Sequence, residues 1–330
     1  MLKSHITVLF EHNYELWKDI YSMIISTLIE IIGKIFFMIL FGFVLKKAGI
    51  ITNEFQKGLS NLLLNAILPV SILSSASNPF SKELSRGLLI AALLCFMYYI
   101  STLILTHLIT GTFKTDNSTK KIFITMSVFA NVGFIGFPIA DELFGSNGML
   151  YTVIYNMFYQ IFFFTYGTNL LSNKGKFNIS SIFKSPVTLS SFAAVIIYLS
   201  PYRFPVFINE SLSTVGGMMV PLSMIIIGCT LVDIRPKEIL KDKYSYLVSL
   251  LRLLIFPLAV IGILLLIGIK GEVAVIIAVL TGLPSGSLNV ILAEQYNCNP
   301  EYAARTVIQS MILMIVTLPV IISLSLKLLI

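Results

Sequence analysis

FANVGFIGFPI, residues 129–139, and TGLPSGSLNVI, residues 281–291, are the two stretches on which the fold turns. Each lies in the middle of an apolar run that otherwise reads as helix. Each carries residues that a helix interior resists: Gly133, Gly136 and Pro138 in the first, Gly282, Pro284 and Gly286 in the second. Proline removes a backbone donor and clashes with the preceding turn. Glycine costs about 1 kcal/mol in a helix interior. Asn131 stands ten residues beyond Lys121, about 15 Å at a rise of about 1.5 Å per residue. Pro284 stands twelve residues from both Glu272 and Tyr296, about 18 Å each way. Both breaks are thus expected near the middle of a layer about 30 Å thick.

That layer is a lipid bilayer. Of 330 residues, 56% are hydrophobic and 12% charged, and mean hydropathy is +0.90. A soluble domain carries about twice that charge, and a core of this length cannot hide so much apolar surface. The expected fold class is an all-α integral membrane protein of ten transmembrane helices. The spans read as 24–45, 55–76, 87–109, 122–143, 148–171, 183–200, 206–232, 245–269, 272–296 and 304–328. Residues 1–23 form a lead-in without the features of a signal peptide. Residues 24–171 and 183–330 form two five-helix units, joined by a short cytoplasmic linker at 172–182.

The net charge of +7 does not indicate nucleic acid, because the basic residues sit in short loops between apolar runs. Of the 23 Lys and Arg, fourteen fall in loops after odd-numbered spans and seven on the other side. This bias places both termini on the non-cytoplasmic side of the cell (plasma) membrane. Cys95, Cys229 and Cys298 form no disulfide framework.

The halves repeat. Pro69-Val70-Ser71-Ile72 in span 2 matches Pro221-Leu222-Ser223-Met224 in span 7. Thr152-Val153-Ile154 in span 5 matches Thr306-Val307-Ile308 in span 10. The offsets, 152 and 154, bracket the 153 that pairs Gly133 with Gly286. A repeat of five spans enters the membrane from the opposite face, which makes it inverted, a design of many secondary transporters. Two broken helices meeting at the midplane present half-helix N-termini, whose positive ends attract anions. The expected substrate-binding residues are therefore Asn131, Gly133, Gly136 and Pro138 in span 4, with Pro284, Ser285, Gly286, Ser287 and Asn289 in span 9. Asn156, Tyr159 and Gln160 of span 5, Gln309 of span 10, and Asn65 and Ser71 of span 2 lie at the same depth. For each of these the competing role is helix packing or an interhelical hydrogen bond.

FANVGFIGFPI and LPSGSLNVILAEQYN (283–297), with Pro69 and the GCTL that follows Pro221, resemble the auxin efflux carrier family in its bacterial branch, related to bile acid/sodium symporters. The resemblance runs from about Ile24 almost to the end of the chain. It implies that spans 4 and 9 cross. It further implies that a transport unit of spans 3–5 and 8–10 slides, elevator-like, against a scaffold of spans 1, 2, 6 and 7. It also implies a homodimer through the scaffold, and a small organic anion such as a carboxylate as substrate, carried outward in the plant members. Spans 5 and 6 are joined by only about a dozen residues, so the long central loop of many plant relatives is missing.

Charges within spans suggest function by default. Glu30 and Lys34 form a possible intramembrane charge pair, four residues apart on one helical face. Asp141, Glu142 and Glu294 are expected to face loops. No carboxylate stands alone at mid-membrane, so the coupling ion, proton or sodium, stays open. His5, His12 and His107 lack metal-ligand spacing, no catalytic motif is present, and neither an enzyme, a metal site nor a cofactor is expected. The alternative is a non-transporting receptor or sensor that binds a small ligand with the same fold.

Overall fold

The structure, a computed structural model, describes residues 30–172, 185–232 and 242–330. The lead-in at 1–23 and nearly all of the linker at 172–182 lie outside the described residues, as do His5 and His12. Every named element among the described residues is helical. Helix α1 covers 30–47, α2 Asn53–Ser75, and α3 Lys82–Gly111. The next apolar run is split. Helix α4, Asn117–Val128, ends at an extended Phe129, and helical turns resume at Val132. They continue as α5 (132–143) to a turn at Phe144 and Gly145, whose φ is +52°, and then as α6 (146–172). Helices α7 (Pro186–Leu199), α8 (Val206–Val232) and α9 (Lys243–Ile267) follow. A second split run consists of α10 (Glu272–Thr281) and α11 (Leu288–Gln295), and α12 (Pro300–Leu329) completes the chain.

Five of these helices, α2, α3, α8, α9 and α12, are long and apolar enough to cross a membrane, and α7 and α10 are shorter apolar helices. Large side chains point outward: Phe37 is 69% exposed, Leu93 67%, Leu266 88% and Val316 71%. Water disfavours such a surface and lipid does not. Many hydroxyls in the helices turn back on their own backbone. Thr102 and Thr106 donate to the carbonyls of Tyr98 and Thr102, four residues earlier, which satisfies them without an external partner.

Polar caps set the helix edges, and a hydropathy reading trims them. Span 3 begins at Lys82 rather than 87 because Ser81 caps it, accepting from the Leu84 amide. Span 4 begins at Asn117 rather than 122, capped by Asp116. Span 10 begins at Pro300 rather than 304, capped by Asn299. These caps satisfy amides that a helix start leaves open.

Among the described residues three of the four π turns, Leu63–Ile67, Val132–Gly136 and Leu251–Ile255, lie just before a proline: Pro69, Pro138 and Pro257. A wider turn loosens the backbone where proline would strike the preceding carbonyl. Helices α1 and α8 approach so closely that a Cβ on Gly228 would overlap the Ile39 carbonyl. Helix α2 packs on α7 and α8, and α3 on α4 and α6. Helix α10 packs on α3, α9 and α12.

Candidate functional site

The two breaks meet. The Asn131 amide donates to the Pro284 carbonyl at 3.0 Å, and the Gly286 amide to the Phe129 carbonyl at 2.9 Å. These bonds form an isolated antiparallel bridge between Ala130 and Ser285. Each chain thereby satisfies backbone groups that its own helix has released. Side chains reinforce the junction. Ser285 Oγ donates to the Met126 carbonyl (2.9 Å), and its amide donates to Ser310 Oγ on α12 (3.1 Å). Asn289 Nδ2 donates to the carbonyls of Phe129 (3.2 Å) and Gly286 (2.9 Å). Position 286 must be glycine, since a Cβ there would lie 2.7 Å from the Ala130 carbonyl oxygen.

Beside this junction lies a cavity of about 420 Å³. Eight of the residues expected from the sequence border it: Asn131 and Gly133 of α5 and its cap, Gly286 and Ser287 before α11, Asn156, Tyr159 and Gln160 of α6, and Asn65 of α2. The helices α5 and α11 both start at its wall, with Asn131 and Ser287 as their caps. Asn131 Oδ1 accepts from the Phe134 amide at 3.4 Å. Its Nδ2 is buried and has no partner, and the same holds for Asn156 Nδ2 and Gln160 Oε1. Buried polar groups are nearly always paired, so three unpaired amide atoms on residues that border one cavity make it the candidate site. The rest of the wall is mostly apolar, with Leu64, Phe134, Phe164, Val187 and Ile291 beside Ser185, and among the described residues none that lines it carries a charge.

The other expected residues do not border the cavity. Gly136 packs near Leu280 and Leu283, and Pro138 is buried early in α5. Pro284, Ser285 and Asn289 belong to the junction itself. Ser71 supports α2 against Gly216 of α8. Gln309 is buried on α12, with both amide atoms unpaired.

Of the possible pair of Glu30 and Lys34, the lysine has a partner on another helix. Lys34 Nζ bonds Glu142 Oε2 at 2.8 Å, so Glu142 does not simply face a loop. The partner comes from α5, across a helix interface, because the lysine is long and 60% exposed and can reach past its own turn.

Sequence reasoning missed Arg252. It lies within an apolar run, is fully buried and touches both breaks. Nε donates to the Leu283 carbonyl at 2.7 Å and Nη1 to the Ser127 carbonyl at 3.0 Å. A signal was present, since an arginine flanked by apolar residues on both sides is itself a functional marker.

With this geometry in view, the relatives are informative. The chain matches the family described as membrane transport protein over residues 27–183 and 173–322. An uncharacterized transporter of Methanocaldococcus jannaschii is 23% identical over 287 residues, 84% of this chain and 92% of that protein. An uncharacterized transporter of Methanothermobacter thermautotrophicus is 25% identical over 293 residues, 88% of this chain and 96% of that one. The protein is thus a multi-pass membrane transporter. It belongs to the membrane transport family matched here, that of the auxin efflux carriers.

Proposed function

We propose that this transporter is a secondary carrier of small organic anions, carboxylates foremost, which it moves outward across the plasma membrane by alternating access. One observation carries the reading: two helix N-termini, at Asn131–Val132 and Ser287–Leu288, border one cavity that no charged side chain lines among the described residues. Each N-terminus carries roughly half a positive charge. Together they supply an anion with about one unit of counter-charge, without the tight grip of a lysine or arginine. Asn131 Nδ2 and Asn156 Nδ2 add free donors, and the apolar wall suits a carbon skeleton.

In this reading the chain forms ten transmembrane helices as two inverted repeats, 24–171 and 183–330. The split runs α4/α5 and α10/α11 are the crossing fourth and ninth spans. Helices α1, α2, α7 and α8 form the scaffold and the dimer interface, and α3–α6 with α9–α12 form the moving unit. The cavity borders Ser185 and Pro186 at the start of α7, the cytoplasmic face if both termini lie outside. At the other face, polar contacts join scaffold to moving unit: Lys34 to Glu142, Asn78 to Asn147 (2.9 Å) and Tyr198 to Ser81 (3.2 Å). That pattern fits an inward-facing, outwardly closed arrangement.

The test is a thermal-shift panel of mono- and dicarboxylates on purified protein. A ligand at about 100 times its dissociation constant adds about 2.7 kcal/mol. Asn131→Ala is expected to fold and to bind the best carboxylate at least about 1 kcal/mol more weakly, more if the lost bond served a charged oxygen. An unchanged affinity in a folded variant would make Asn131 a packing residue and remove the site.

A further inference from the structure

The opposite ends of the half-helices also converge. Ser127 is the penultimate residue of α4, and Leu283 follows the end of α10 by two. Their carbonyls are the two acceptors of the Arg252 guanidinium. Each helix C-terminus carries roughly half a negative charge. Two such ends sum to about one unit, which a single guanidinium balances. Among the described residues no carboxylate forms an ion pair with Arg252, so the backbone serves as its counter-charge. Arg252 sits in the π turn Leu251–Ile255 of α9. In transporters built on broken helices, such C-terminal ends and unwound carbonyls are where a sodium ion or proton is held.

We propose that Arg252 is a tethered counter-cation. It occupies the place between the α4 and α10 ends that a mobile alkali cation would otherwise take, so the crossing is assembled, and the anion cavity shaped, without bound sodium. This rests on the carrier reading above in that it assigns the coupling side of the same crossing. Arg252 is a positioning residue, since it lines no part of the cavity. The role demands a fixed charge in a fixed geometry, which the planar guanidinium with its forked donors provides.

The experiment measures melting temperature of the purified protein in NaCl, KCl and N-methyl-D-glucamine chloride at equal ionic strength. Wild type is expected to melt within about 1 °C in all three, well inside the 2–4 °C that about 1 kcal/mol would produce. Arg252→Gln is expected to melt at least about 5 °C lower in N-methyl-D-glucamine chloride and to regain part of the loss in NaCl or KCl. Arg252→Lys is expected to purify and to stay indifferent to the salt. A sodium-specific shift in wild type overturns the proposal, and so does an Arg252→Gln protein as stable as wild type or no more salt-responsive. If Arg252→Gln does not fold, the wild-type and lysine arms still decide, because sodium dependence in either contradicts a tethered cation. Failure of the anion site would show instead as carboxylate binding indifferent to Asn131, a result that leaves these salt measurements unaffected.

Discussion

At the residue scale, two kinds of polar residue share the crossing and are told apart by where their hydrogen bonds go. Ser285 and Asn289 donate to backbone carbonyls of the facing break and stand away from the cavity, although Asn289 Oδ1 is unpaired, whereas Asn131, Asn156 and Gln160 border the cavity, each with one unpaired amide atom. The sequence made both groups visible, because polar residues deep in apolar runs stand out. It did not separate them, because periodicity fixes the face of a helix but not its partner. Gly286 belongs to the first kind. Gly286→Ala would force a methyl to within 2.7 Å of the Ala130 carbonyl oxygen, and overpacking of this sort costs about 1–3 kcal/mol. The variant is expected to melt lower than wild type, while Gly262→Ala, where an added methyl meets open space, is expected not to. Equal melting of both variants and wild type would show that the two breaks do not touch as described.

At the scale of elements, the breaks were legible and the edges were not. Gly133, Gly136, Pro284 and Gly286 announce irregular backbone whatever surrounds them. Hydropathy instead stops at the first charged residue, so it missed the polar first turns of α3, α4 and α12 and the capping residues before them. Helix α4 shows what such a cap does. Asp116 Oδ1 accepts from the Thr119 hydroxyl (2.7 Å) and Oδ2 from the Thr119 amide (2.8 Å). Chiefly through the hydroxyl and then the amide, these bonds hold the carboxyl below its usual range. A depressed carboxyl stabilises the fold above its unfolded pKa, and that stability is lost as pH falls through the folded value. Asp116→Ala is expected to cost about 1 kcal/mol at neutral pH. The gap to wild type should narrow once the pH drops below about 4, the ordinary aspartate range. Thermal melts from pH 7 down to the acid limit of the detergent-solubilised protein test this, and a gap that stays constant across that range would deny the charged cap.

At the scale of the whole molecule, the sequence suggested two matching halves because its marked residues recur at offsets of 152 to 154, and α4 and α10 end 153 residues apart. What it could not supply was the long-range chemistry. Arg252 meets carbonyls 125 residues before it and 31 after it, a convergence that no local pattern encodes. Counterflow in proteoliposomes tests most directly whether this proposed site travels. The labelled substrate is the carboxylate that stabilises the protein best, and the protein carries cysteines at Asn78, just beyond α2, and Asn147 of α6 in a background without Cys95, Cys229 and Cys298. Those two side chains meet at 2.9 Å, and neither borders the cavity. Before cross-linking, unlabelled carboxylate inside is expected to drive transient uptake of label. After a short thiol linker joins the proposed scaffold to the proposed moving unit, counterflow should vanish while binding from one face persists. Binding without counterflow in the unlinked protein would make it a receptor, and full counterflow with the linker in place would contradict a sliding transport unit.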